Sequence, residues 1–176
     1  MEKYELRMFA NRQAMYYGLF FGLFLVLKFV FEVAFDGGAG AFISGVLTIM
    51  VPVFAYKCAV LFKRKVEGCE AGFGLFLRFT IYLFFFASMF LAVAQFVYYQ
   101  YINPDYIQQQ LDLLLSTASQ IKGAEAQVEQ FKALIAEAGT PTASMVAVQT
   151  IWIFIFLGLI LGLPIAAIVN KIKENC

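Results

Sequence analysis

Met15–Phe35, MYYGLFFGLFLVLKFVFEVAF, decides the fold of this chain: it is long enough to cross a bilayer and carries two charges, Lys28 and Glu32. A central charge costs about 2.5–3.5 kcal/mol on the insertion scale, and each Leu, Phe, Val or Ile returns about 0.3–0.6 kcal/mol. The apolar residues of the run therefore supply on the order of 5 kcal/mol, enough to rival two charges. The two charges lie in the half nearer Phe35 and one helical turn apart, a spacing at which they pair. Asp36 extends the same face by another turn.

Three further runs are of similar length: Ala39–Phe62, Phe73–Tyr101 and Met145–Val169. The chain is 62% hydrophobic, against about 45–50% for a soluble domain, and its mean hydropathy is +0.78. A helix crosses a hydrocarbon core of roughly 30 Å with about 20 residues. None of the runs has the continuous polar stripe of a water-soluble core helix. The ten-residue alternation of a membrane barrel is absent as well. The sequence predicts an all-α polytopic membrane protein with four transmembrane helices.

The predicted divisions are a lead at 1–14, the first three spans within 15–103, a non-membrane segment at 104–141, and the fourth span with a tail at 142–176. The lead and first span have a rival reading as a signal peptide with Ala39-Gly40-Ala41 as its cleavage site. The long apolar run and its charges favour an uncleaved span. Lys and Arg fall at the amino end (Lys3, Arg7, Arg12), in the second loop (Lys63, Arg64, Lys65) and in the tail (Lys171, Lys173). The positive-inside rule then puts both termini in the cytosol and the 104–141 segment outside. The cysteines, Cys58, Cys69 and Cys176, fall on the cytosolic side, where reduced thiols are expected.

Within 104–141, Ile107, Leu111, Leu114, Ala118 and Ile121 repeat at helical spacing, as do Val128, Phe131, Ile135 and Ala138. The chain must return to a neighbouring span, so a helical hairpin broken at Lys122-Gly123 is predicted, closed by Gly139-Thr140-Pro141. Gly18 and Gly22 in the first span match Gly158 and Gly162 in the fourth. Small residues four apart let helix backbones approach closely. Gly22 and Gly162 fall at similar depth, so the first and fourth spans are expected to pack there.

Some residues resemble a known family. They are Tyr17-Gly18-Leu19 with Gly22-Leu23, Tyr56-Lys57, Tyr101-Ile102-Asn103-Pro104-Asp105, and Gly158 through Lys171. In order and spacing they resemble domain of unknown function family 4199, over nearly the whole chain. The resemblance implies a four-helix inner-membrane protein of Gram-negative bacteria with an extracytoplasmic helical insert. It implies no reaction, substrate or cofactor.

Net charge is +1 and histidine is absent. The first gives no electrostatic case for nucleic acid, and the second removes the commonest general base and metal ligand. No cofactor is expected. One polar set is expected at comparable depth in the outer half of the bilayer: Lys28, Glu32, Asp36, Gln95 and Gln149, with Ser44 and Thr48. Intramembrane ionisable groups raise a functional hypothesis. Here it is an ion- or proton-coupled site, with Glu32 titrating against Lys28. The competing reading is polar glue between helices. A basic collar, Lys57, Lys63, Arg64, Lys65 and Arg78, reads as ordinary positive-inside bias or as an anionic-lipid contact. The leading expectation is a non-enzymatic anchor presenting the outer hairpin to an envelope partner, the bundle mouth or a second copy. A small dimeric transporter or channel is the runner-up, and a membrane-embedded enzyme the third reading.

Overall fold

The computed structural model describes residues 3–35, 38–66, 71–120 and 125–171. Its helices are α1 (Lys3–Ala34), α2 (Gly38–Lys65), α3 (Phe73–Val97), α4 (Tyr106–Ser119), α5 (Glu125–Ala138) and α6 (Ala143–Lys171). Among the described residues all regular structure is helical. Four helices are long and apolar enough to cross a membrane: α1, α2, α6 and α3 with the turn that follows it. The chain divides into two compact units, Met1–Ala92 with Gln149–Cys176, and Val93–Val148.

The first unit is a bundle whose directions can be read from its contacts. Phe21 stacks on Phe54 at 5.2 Å and Phe9 on Phe62 at 6.2 Å, so α1 and α2 run antiparallel. Tyr17 meets Phe79 and Phe21 meets Phe84, so α1 and α3 run parallel. Gly158 lies against Phe84 and Gly162 against Leu77 and Thr80, so α6 runs antiparallel to α3. Each helix therefore reverses the one before it within the bundle, as successive crossings of a sheet of lipid require. The most buried of the four spans is α3 and the least is α6.

The core is aromatic. Phe21, Phe62, Phe76, Phe79 and Phe84 are fully buried. Phe62 lies flat on Phe79 with ring centroids 4.3 Å apart, and Phe76 meets Phe62 edge-on at 6.1 Å. Both are favourable aromatic arrangements. The outside of the bundle is apolar too: Phe20, Leu23, Ile49, Trp152, Phe156 and Ile160 are all exposed. Apolar residues on both the inner and the outer faces fit lipid and are costly in water.

Polar or interfacial residues bound each apolar stretch. From Gln13 to Glu32, Ser44 to Lys63, Arg78 to Tyr98 and Trp152 to Lys171, a helix rises about 28–30 Å at 1.5 Å per residue. That matches the hydrocarbon core of a bilayer, roughly 30 Å. Lys28 and Glu32 lie toward one end of the apolar stretch of α1, not at its middle. The first helix begins before its apolar run: α1 starts at Lys3, so the described part of the 1–14 lead continues the span.

The second unit starts at Val93, in the last turns of α3. Tyr98–Ile102 forms a widened π turn, closed by the Asn103 N–H donating to the Tyr98 carbonyl at 2.9 Å. Pro104 keeps the residue before it out of the helical region, and Asn103 has φ −141° and ψ 84°. Pro104 precedes Asp105, the N-cap residue of α4. The rings of Tyr98, Tyr99 and Tyr106 pack together. Helices α4 and α5 touch one another. Gly139 ends α5 at φ 78°, a left-handed position that glycine takes without steric cost. Its N–H donates to the Ile135 carbonyl at 2.8 Å. Thr142 then opens α6, its hydroxyl accepting from the Met145 N–H at 3.3 Å, as an N-cap does.

One sequence expectation needs adjustment in this unit. Leu114 is exposed and Leu115 is half-buried. The covered face of α4 therefore follows Ile107, Leu111, Leu115 and Ala118, a four-four-three rhythm that keeps one stripe on a helix of 3.6 residues per turn. The break at Lys122-Gly123 lies outside the described residues.

Candidate functional site

Lys28 and Glu32 are one turn apart on α1, and the Lys28 ammonium donates to the Glu32 carboxylate at 2.9 Å. The Lys28 side chain is 20% exposed and that of Glu32 49%. The pair is thus intrahelical and opens outward; it is not enclosed by the bundle. Asp36 lies outside the described residues. Thr48 donates its hydroxyl to the Ser44 carbonyl at 2.8 Å, within its own helix. Gln95 is half-buried and engaged by neighbours. Gln149 is exposed, whereas the adjacent Thr150 is buried.

Among the described residues the buried polar side chains are Thr80, Ser88 and Thr150, none of them ionisable in the ordinary range. Sequence reasoning did not single them out. Thr80 donates to the Phe76 carbonyl at 2.9 Å and Ser88 to the Phe85 carbonyl at 2.7 Å. These local bonds satisfy hydroxyls that lipid cannot.

The four glycines do not pair α1 with α6. A Cβ on Gly18 would lie 2.7 Å from the Phe86 Cβ, and one on Gly22 2.8 Å from the Phe90 ring. A Cβ on Gly158 would lie 2.8 Å from the Phe84 Cβ, and one on Gly162 3.0 Å from Leu77 Cδ1. All four face α3. The expected packing of the first span on the fourth through Gly22 and Gly162 is thereby corrected. Small-residue spacing marks a face open to close approach, but it does not name the helix that approaches. Here the partners are Phe84, Phe86 and Phe90 of α3, with Leu77 and Thr80 against Gly162.

The basic end is where side chains from distant parts of the sequence converge. Lys63 donates to the Val169 carbonyl at 2.9 Å, satisfying an acceptor in the last turn of α6. Lys65 donates to Gln13 at 3.2 Å and lies over the Tyr17 ring at 5.1 Å. Arg78 donates from Nε to Asn11 Oδ1 at 3.0 Å, and its guanidinium lies over the Tyr82 ring at 5.3 Å. Lys57 is exposed. These links bring the start of α1, the end of α2, the start of α3 and the end of α6 to one end of the bundle. The sequence supplied the charges; Asn11, Gln13 and Val169 as their acceptors carried no advance mark. Cys58 is a buried free thiol, and Cys69 and Cys176 lie outside the described residues.

No curated protein and no solved structure matches the chain. One family model does, over residues 16–171, and its description is "Protein of unknown function (DUF4199)". That span takes in α1 from Tyr16 onward, the other three apolar helices and the segment between the third and fourth, and the chain belongs to this family.

Proposed function

We propose that this protein is a non-enzymatic anchor of the bacterial inner membrane, with both termini in the cytosol. In this reading α4 and α5 form an extracytoplasmic helical hairpin that is offered to a partner in the cell envelope. The observation that carries it is the apolar surface of those two helices: Leu113, Leu114 and Leu134 are 59%, 57% and 60% exposed. Apolar side chains held on a water-facing element favour being covered. The hairpin geometry is supported by Thr140, beyond the end of α5, which donates to Gln108 near the start of α4 at 2.9 Å. Orientation is supported by the basic residues gathered at the other end of the spans.

The test is site-specific photocrosslinking from α4 in native membranes. Replacing Leu113, Leu114 and Leu134 together by Gln is expected to abolish the crosslinked species at unchanged protein level. An unchanged crosslinking pattern would overturn the anchor reading. Sidedness has its own measurement: in intact cells a membrane-impermeant maleimide is expected to label Ser116→Cys and to leave Cys69 unmodified. The transporter reading draws no support from a Lys28–Glu32 pair that is intrahelical and half open.

A further inference from the structure

At the basic end, the starts of α1 and α3 leave an open cleft of about 540 Å³ between them. Two guanidinium-bearing side chains line it, Arg7 from α1 and Arg78 from α3. The Arg78 side chain is held in place by Asn11 on one side and the Tyr82 ring on the other. The bond to Asn11 uses Nε, so the donors of its two terminal nitrogens remain for another acceptor. Among the described residues, no carboxylate lies within ion-pair distance of either arginine. Gly72 and Gly74 form part of the wall, and a Cβ on either would meet open space. The rest of the wall is largely aliphatic: Leu6, Leu75, Leu77 and Ile81. From the cleft, Leu77, Ile81 and Phe85 continue along α3 as a half-exposed stripe with one residue per turn.

We propose that this cleft is a binding site for the headgroup phosphate of an anionic glycerophospholipid, with an acyl chain laid along Leu77, Ile81 and Phe85. Two guanidiniums with no carboxylate of the described residues at ion-pair distance supply the charge and the planar donor geometry that phosphate oxygens accept. The apolar floor and the stripe running into the membrane distinguish a lipid from a soluble phosphate, which has no use for them. The level also fits. Arg78 marks the polar end of the apolar stretch of α3, and Arg7 lies one turn beyond Asn11, where headgroups sit. A general basic surface attracts anionic lipid through each of its charges whatever their position. A built cleft differs by depending on which charge is removed, and on its shape.

The test is native mass spectrometry of the full chain in detergent, titrated with phosphatidylglycerol, with phosphatidylcholine, or with inorganic phosphate. The parent is expected to retain phosphatidylglycerol at least tenfold more strongly than phosphatidylcholine. Arg7→Gln is expected to weaken that retention about tenfold, and Lys171→Gln, which removes an equal charge outside the cleft, to change it less than twofold. Arg78→Gln also removes the contacts to Asn11 and Tyr82, so Gly74→Leu serves as the second variant. It fills the open space without touching either arginine and is expected to reduce retention as Arg7→Gln does. Equal loss from Arg7→Gln and Lys171→Gln would reduce the cleft to diffuse surface charge and overturn the proposal. So would full retention by Gly74→Leu. Displacement of phosphatidylglycerol by millimolar inorganic phosphate would overturn the lipid assignment in favour of a soluble phosphate ligand. None of these results depends on whether α4 and α5 hold an envelope partner.

Discussion

In the bundle, Phe62 lies flat against Phe79 at 4.3 Å and is closed off on every side. In the α4–α5 unit, Leu113, Leu114 and Leu134 each leave more than half their surface open, at 59%, 57% and 60%. In the proposed arrangement, with the bundle in lipid and α4–α5 in water, the difference follows from what surrounds each. Lipid tails are as apolar as leucine, so a bundle within them gains little from hiding apolar surface and must gain from shape. Its glycines admit phenylalanine rings to contact distance, and the outward face is left apolar. A segment in water has the opposite accounting: each exposed leucine costs about 25 cal/mol per Å² until something covers it. Under that proposal, similar apolar residues report packing in one unit and an unmet need in the other.

The contrast can be broken most directly at Phe62. Phe62→Ala removes the ring stacked on Phe79 and edge-on to Phe76, and is expected to cost about 3–5 kcal/mol in unfolding by denaturing detergent followed by circular dichroism. A cost near zero would mean that ring packing does not hold the bundle. Next comes Gly158→Leu, whose side chain meets Phe84 where a Cβ would already be 2.8 Å away. Overpacking of this kind costs about 1–3 kcal/mol, and Gly45→Leu, with open space around it, should cost far less in the same assay. Equal costs at the two positions would remove the argument from shape. Leu113→Gln sharpens the other side of the contrast: stability should stay within about 0.5 kcal/mol, while any partner crosslink falls. The smallest effect belongs to Glu32→Gln. An i,i+4 pair contributes about 0.2–0.5 kcal/mol, so thermal unfolding in detergent should barely shift. A large shift would reveal a partner for Glu32 beyond Lys28.

The four spans were legible because length and apolar composition suffice to specify a crossing, and both are written in consecutive residues. The Lys28–Glu32 pair was legible for the same reason: helical spacing alone brings them together. What the bundle does with its glycines was not. Gly22 and Gly162 share a depth, yet each faces α3, because α3 carries Phe90, Thr80 and Leu77 at the matching levels. Nothing in either glycine's own neighbourhood specifies that partner. The Arg7–Arg78 cleft was similarly hidden, since its two arginines are more than seventy positions apart and lie on different helices. On α4 the choice of Leu115 over Leu114 turned on which of two adjacent leucines meets its neighbour, which periodicity alone leaves open.

The central place of α3 has a consequence for how the chain is made. Its final neighbour, α6, emerges from the ribosome only after roughly forty-five further residues, on the order of 2–9 s of synthesis. Throughout that interval the flank of α3 around Leu77, Thr80 and Phe84 waits in lipid alone. It can wait because Thr80 and Ser88 already spend their hydroxyl hydrogens on carbonyls of their own helix. A nascent chain truncated after Ile102 is accordingly expected to remain inserted and protease-protected; extraction of such a fragment by carbonate would show that α6 is needed to hold α3 in place.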